Sequence, residues 1–155
     1  MTSYQVRLAT PADCETLIDF NCWLCSETED KELDREIVTR GVQRAFEQGD
    51  EACYFVAVTE QSPQTVVGSL MLTREWSDWR DGWMAWLQSV YVLADHRGAG
   101  VFRLMLEHAA TELKKNPDVR GLRLYVELEN ERAQGAYARN GFKDPNYKVL
   151  ERMFD

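Results

Sequence analysis

The run Val90-Tyr91-Val92-Leu93-Ala94-Asp95-His96-Arg97-Gly98-Ala99-Gly100-Val101-Phe102 constrains this chain more than any other. The residues from Leu87 to Leu93 are apolar and rich in β-branched and aromatic types, the pattern of a buried strand. A short polar turn, Ala94 to His96, follows. A glycine-containing segment then opens a helix predicted over Val101 to Lys115. A helix N-terminus carries backbone N–H groups without internal partners and the positive end of the helix dipole, so it attracts anions. Gly98 and Gly100 allow a ligand close to the backbone. Arg97 adds a planar fork of donors suited to phosphate oxygens. Two familiar phosphate binders do not fit. A dinucleotide fingerprint needs a small residue where Arg103 stands, and a P-loop needs Gly-Lys-Ser/Thr.

The pattern Arg97-x-x-Gly100-x-Phe102 resembles the coenzyme A loop of the GNAT N-acetyltransferase family, Arg/Gln-x-x-Gly-x-Gly/Ala, with Phe102 departing at the last position. Its ring should tighten or reshape the pyrophosphate turn. Downstream, Asn130-Glu131-Arg132-Ala133-Gln134-Gly135-Ala136-Tyr137-Ala138-Arg139-Asn140-Gly141-Phe142 resembles the same family's Asn-x-x-Ala-x-x-x-Tyr-x-x-x-Gly-Phe segment. It follows an apolar strand, Leu122 to Val126. Order and separation both match, from about Trp86 to Phe142.

The resemblance implies transfer of an acetyl group from acetyl-CoA to an amine of a small molecule or peptide by direct attack. It also implies a site. Arg97, Gly98, Ala99, Gly100, Val101, Phe102 and Arg103 would hold the pyrophosphate. Val90, Tyr91 and Val92 would pair with the pantetheine arm where the sheet splays. Asn130 would bond the pantetheine or cap the last helix. Tyr137 would protonate the leaving thiolate. A tyrosine of pKa about 10 can give a proton to the conjugate base of a thiol of pKa about 8.5 with little penalty. The family's usual carboxylate position is Tyr125 here, so that assignment does not transfer. Glu127, Glu75, a water-relayed base or none remain. The competing reading is a non-catalytic acyl-CoA-binding or regulatory module on the same fold.

The implied fold is mixed α/β: one domain over residues 1–155, a mostly antiparallel sheet with a parallel pair at the CoA site, and helices on both faces. The residues agree. Gln5 to Ala9 reads as a strand. Thr10-Pro11-Ala12-Asp13 reads as a capped helix start, with the helix running to about Glu27. A second helix spans Lys31 to Gln48 and stops at Gly49. Strands follow at Cys53–Val58, Val66–Thr73 and Trp83–Leu93, and a final one at Tyr147–Met153. Glu75 to Gly82 reads as a long polar-aromatic loop. Trp76, Trp79, Trp83 and Trp86 crowd there beside Glu75, Asp78 and Asp81. Either the loop caps the sheet, or Trp76 and Trp79, with Gln88 on the strand, wall an amine site by cation–π attraction.

Charge narrows the partners. Eighteen basic residues against 26 acidic give a net of −8, which argues against nucleic acid, whose binding depends on Lys and Arg. It suits an amine-bearing acceptor. No apolar run reaches the ~18 residues of a membrane span, and the N-terminus has no signal pattern, so a cytoplasmic protein is expected. A homodimer is left open. Cys14, Cys22, Cys25 and Cys53 read as reduced core-face thiols, because a zinc site would need a second ligand pair; no metal is expected.

Overall fold

The computed structural model describes residues 1–154. They form two compact units, Met1–Arg123 and a smaller one beginning at Leu124. In the first unit, β1 (Tyr4–Leu8), β2 (Ala52–Thr59), β3 (Val66–Ser77), β4 (Gly82–Val92) and β5 (Val119–Arg123) make one sheet in that order. β1 to β4 are antiparallel neighbours. β5 joins β4 in parallel, with Trp83 opposite Val119 and Trp86 opposite Arg123. A parallel pair needs a crossover, and helix α3 (Val101–Leu113) supplies it.

The two faces of the sheet follow from strand alternation. Tyr54, Val56 and Val58 of β2 pack against Leu17 and Ile18 of α1 (Cys14–Glu29) and Val42 and Ala45 of α2 (Arg35–Ala45). Phe55 points the other way and meets the His108 ring of α3, 5.2 Å between centroids. Gly68 of β3 explains how α3 sits so near. A Cβ there would stand 3.1 Å from Met105 Cε, 3.2 Å from Val101 Cγ1 and 3.2 Å from the Tyr91 carbonyl. The four cysteines are free and half-buried, and burial pushes the Cys14 and Cys53 thiols up.

The start of α1 is built as its sequence suggests. The Asp13 carboxylate accepts from the Thr10 N–H at 2.8 Å and pairs with Arg7 at 2.8 Å. The Arg7 hydrogen bond, and then the Thr10 N–H, hold the Asp13 carboxyl below its ordinary value against burial, which opposes them. A depressed folded-state pKa contributes stability above the unfolded value, and that stability is lost as pH falls through the folded one. Asp13→Asn should therefore cost about 2 kcal/mol at neutral pH, or roughly 4–8 °C in Tm for a chain of this size. The loss should shrink below about pH 4. Thermal melts of both proteins across pH check it, and an equal deficit at every pH would contradict the assignment.

Two expected elements differ. The long loop over Glu75–Gly82 is instead the end of a hairpin. The ladder continues through Arg74–Ala85, Glu75–Met84 and Trp76–Trp83, which leaves only Asp78 to Asp81 as the turn. Aromatic stacking offsets the poor strand propensity of that stretch. Trp76 and Trp83 meet edge to face at 5.1 Å, and the Arg74 guanidinium lies 4.5 Å over the Trp83 ring. The Arg120 guanidinium donates to the carbonyls of Arg80, Asp81 and Pro117 and so clamps the turn. The second difference is at the C-terminus. In the smaller unit taken by itself, the strand expected over Tyr147–Met153 has no ladder partner, and residues 142–145 and 147–154 have no regular structure.

The smaller unit carries one helix, α4 (Glu131–Arg139). Its two ends account for most of the second sequence motif. The Asn130 side chain accepts from the Ala133 N–H at 3.1 Å, an N-cap. At the far end Phe142 N donates to Tyr137 O and Gly141 N to Ala138 O, both at 3.1 Å, with Gly141 at φ 87°. The rings of Tyr137 and Phe142 touch at 5.7 Å. This is a Schellman termination with its usual apolar contact, and it requires the left-handed residue that glycine provides.

Candidate functional site

β4 is interrupted where the sequence shows nothing unusual. Met71 of β3 pairs with Gln88 and Ser69 pairs with Tyr91, so Leu70 alone faces both Ser89 and Val90. This is a bulge, and Ser89 takes φ 49°, a left-handed value uncommon for a non-glycine residue. The bulge shifts the strand's alternation by one, so Gln88 and Tyr91 share a face. Tyr91 is buried, its ring against Phe20 and Trp23 of α1 at 5.0 and 6.2 Å. Its side chain is therefore an anchor, and only its backbone is suited to a ligand. Val90 and Val92 are half-buried.

After β4 the chain makes one 3-10 turn, Ala94–His96, and then the glycine segment. Gly98 and Gly100 sit at φ 76° and 81°. A Cβ on either would meet nothing within 4 Å, so the backbone there is open to close approach. Gly100 is the N-cap of α3 and has no side chain to satisfy the first N–H groups. The first turn of α3 holds no acid, whereas α1, α2 and α4 carry Glu15, Glu36 and Glu131 there. The donor set suits a phosphate: positive dipole end, unsatisfied N–H groups and room. Val101 is buried under the helix, Phe102 is half-buried, and Arg103 is exposed and pairs with Glu107 at 2.7 Å. The Arg97 guanidinium is engaged within the protein. It donates to the Val92 carbonyl at 2.8 Å and to Glu27 of α1 at 2.6 Å.

The family model for the acetyltransferase (GNAT) family matches residues 17–142. This chain belongs to the GNAT acetyltransferase family. A possible acetyltransferase from Clostridium difficile 630 is 34% identical, with TM-score 0.88 over 98% of both chains. Glucosamine-6-phosphate N-acetyltransferase from Arabidopsis thaliana has the same fold at 18% identity, TM-score 0.73, covering 99% of each chain. So does the aminoglycoside N-acetyltransferase AAC(6')-Iy in complex with CoA, at 15% identity and TM-score 0.78, over 99% of this chain and 96% of that one. No curated protein sequence matches. The chain is thus an N-acetyltransferase of a family that uses acetyl-CoA. The sheet with its β4–β5 parallel pair is the GNAT arrangement.

Within this GNAT chain the remaining candidates divide. Gln88 lies next to the bulge and donates to Thr73 Oγ1 at 2.5 Å. Trp76 and Trp79 belong to the hairpin end of the same strand pair. The hairpin end at Gly82 is seven residues before Ser89, about 23 Å along an extended strand. Trp76 is engaged with Trp83, and Trp79 stands 86% exposed at the turn. Trp79→Ala should accordingly leave both Michaelis constants within about twofold, the usual range for an exposed position without partners. A selective rise in the acceptor constant would instead support Trp79 as a wall of the amine site.

The two base candidates, Glu75 and Glu127, stand in different settings. Glu75 has both oxygens engaged, one with Arg123 at 2.6 Å and the other with the Trp86 indole N–H at 3.2 Å. Glu127 lies after β5, outside any strand, and its carbonyl accepts from Asn130 N at 3.1 Å. Tyr137 sits in α4, where burial pushes its hydroxyl pKa up. Sequence reasoning missed Glu27 and Ser89. Glu27 reaches partners 64 and 70 residues away, and Ser89 is one residue inside a regular-looking strand. Among the described residues no metal-binding cluster is present, and no helix is long and apolar enough to cross a membrane.

Proposed function

We propose that this enzyme moves the acetyl group of acetyl-CoA directly to the amine of a small molecule or peptide. Acetyl-CoA supplies the activated thioester; the chain supplies position, dipoles and a proton. The observation that carries the reading is the uncapped, acid-free N-terminus of α3 behind two open glycines, fed by a bulged strand. The N–H groups of residues 98–103 hold the pyrophosphate, with Arg97 shaping the turn rather than meeting the phosphates. Backbone groups of Val90, Tyr91 and Val92 pair with the pantetheine amides. A bulge frees a ladder N–H, and at Ser89–Val90 such a donor would face the thioester oxygen as charge develops on it.

Tyr137 gives its proton to the departing thiolate. Burial raises its pKa, which keeps the hydroxyl protonated through the neutral range while making it a weaker acid toward the thiolate. Asn130 serves as the helix cap that fixes Tyr137's helix. With Glu75 held by Arg123, the amine enters neutral; as its N–C bond forms and the C–S bond breaks it sheds one N–H proton to water, from which Tyr137 is reprotonated. The family match runs from 17 to 142 and so includes residues on both sides of Arg123. The acidic surface, net −8, favours a cationic acceptor. An acetyl-CoA transfer screen over a panel of amino sugars, polyamines, amino acids and peptides tests the proposal. Turnover with at least one amine is expected. Acetyl-CoA binding without transfer to any of them would return the chain to a non-catalytic reading.

A further inference from the structure

The two glycines of the turn carry no side chain that could hold it. Nothing lies within 4 Å of where a Cβ would sit on Gly98 or Gly100, and both take positive φ. What precedes them is tied down by two side chains. Tyr4 Oη of β1 bonds His96 Nδ1 at 2.9 Å. Glu27, in the last turn of α1, accepts from Arg97 Nη2 at 2.6 Å through one oxygen and from Tyr91 Oη at 2.7 Å through the other. Arg97 Nε meanwhile satisfies the Val92 carbonyl at the end of β4, and its guanidinium carbon lies 5.4 Å over the Tyr91 ring. Burial first, and then the bond to Glu27, push the Tyr91 hydroxyl up to about 12, so it remains a donor. One carboxylate thus gathers a strand, a helix and the residue that begins the turn.

We propose that Glu27 is a positioning residue for acetyl-CoA: by fixing Arg97 against Tyr91 and the Val92 carbonyl, it holds residues 97–103 in the shape that receives the pyrophosphate. The inference rests on the acetyl-CoA reading of that turn. A turn with two glycines loses much conformational freedom when a ligand orders it, and a side-chain anchor removes part of that cost beforehand. Simple charge would act in the opposite direction. Glu27 is an anion near an anionic ligand, and it neutralises Arg97. If charge dominated, removing it would tighten binding.

The sign of the effect therefore decides. Glu27→Gln keeps an oxygen for the Tyr91 hydroxyl but turns an amide N–H₂ toward Arg97. The side chain is 43% exposed, so the variant should fold. The dissociation constant for acetyl-CoA should rise about tenfold, with kcat at saturation little changed, as expected for lost preorganisation. In an Arg97→Met background the same change should add less than about twofold, because both substitutions break one contact. Without ligand, amide hydrogen exchange of Arg97 and Leu104, whose N–H groups bond the Ala94 and Gly100 carbonyls, should be faster in Glu27→Gln than in wild type. Unchanged or tighter binding, additive effects, or unaltered exchange would each overturn the proposal. Wild-type protein that fails to bind acetyl-CoA would sink the functional reading instead. The exchange comparison would still report whether Glu27 holds the turn.

Discussion

Replacing Tyr137 with Phe should lower kcat by roughly 10²-fold or more, the range for loss of a general acid. The ring would stay. Its edge contact with Phe142, which helps terminate α4, needs no hydroxyl. The backbone bonds from Phe142 and Asn140 to the Tyr137 carbonyl are also untouched. Tm and acetyl-CoA affinity should therefore stay near wild type, which separates a chemical role from a structural one. The pH profile adds a second check. Burial raises the Tyr137 pKa above the ordinary tyrosine value, and a donor must be protonated to act. The rate should hold through neutral pH and fall only above about 10, where an unperturbed tyrosine would already be ionising. The Phe variant should lack that alkaline limb. Turnover within a few-fold of wild type would make Tyr137 only the anchor of a helix cap.

That last outcome matters because most of the motif containing Tyr137 has a local explanation. Asn130 is an N-cap, Gly141 is the left-handed residue of a Schellman ending, and Tyr137 and Phe142 form its apolar clasp. Such patterns are legible in a chain because they are local: each requirement falls within a dozen residues. The same holds for Thr10-Pro11-Ala12-Asp13 and for the strand, glycine turn and helix around Gly100. What could not be read depended on distance or on competition. The hairpin over Glu75–Gly82 looked like a loop because its stabilisation comes from cross-strand indole packing and from Arg120, some forty residues later. The bulge at Ser89 arises from a mismatch of register between two strands, and neither strand announces it alone. The charge of Arg97 is visible in sequence, but its partner is not. Glu27, which claims that charge, is 70 residues earlier.

Placing an aspartate at Gly100 should abolish acetyl-CoA binding without unfolding the enzyme. The position takes φ 81°, where a side chain is strained by about 1–2 kcal/mol, least so for Asn and Asp. No atom stands within 4 Å of a Cβ built there, so steric conflict adds nothing to that cost. The new carboxylate would lie at the positive end of α3, where a negative charge contributes about 0.3–1 kcal/mol of stability. The unliganded Tm should therefore move by only a few degrees. Binding is another matter. One carboxylate about 5 Å from a phosphate charge, at an effective dielectric near 20, costs about 3 kcal/mol, more than 10²-fold in affinity. Gly100→Ala is the control, since it carries the same backbone strain without charge. In wild type, acetyl-CoA at about 100 times its dissociation constant should add about 2.7 kcal/mol of stability, near 5–10 °C in Tm. Gly100→Ala should keep most of that shift and Gly100→Asp should show none. An equal shift in all three proteins would mean that the pyrophosphate is held somewhere other than the first turn of α3.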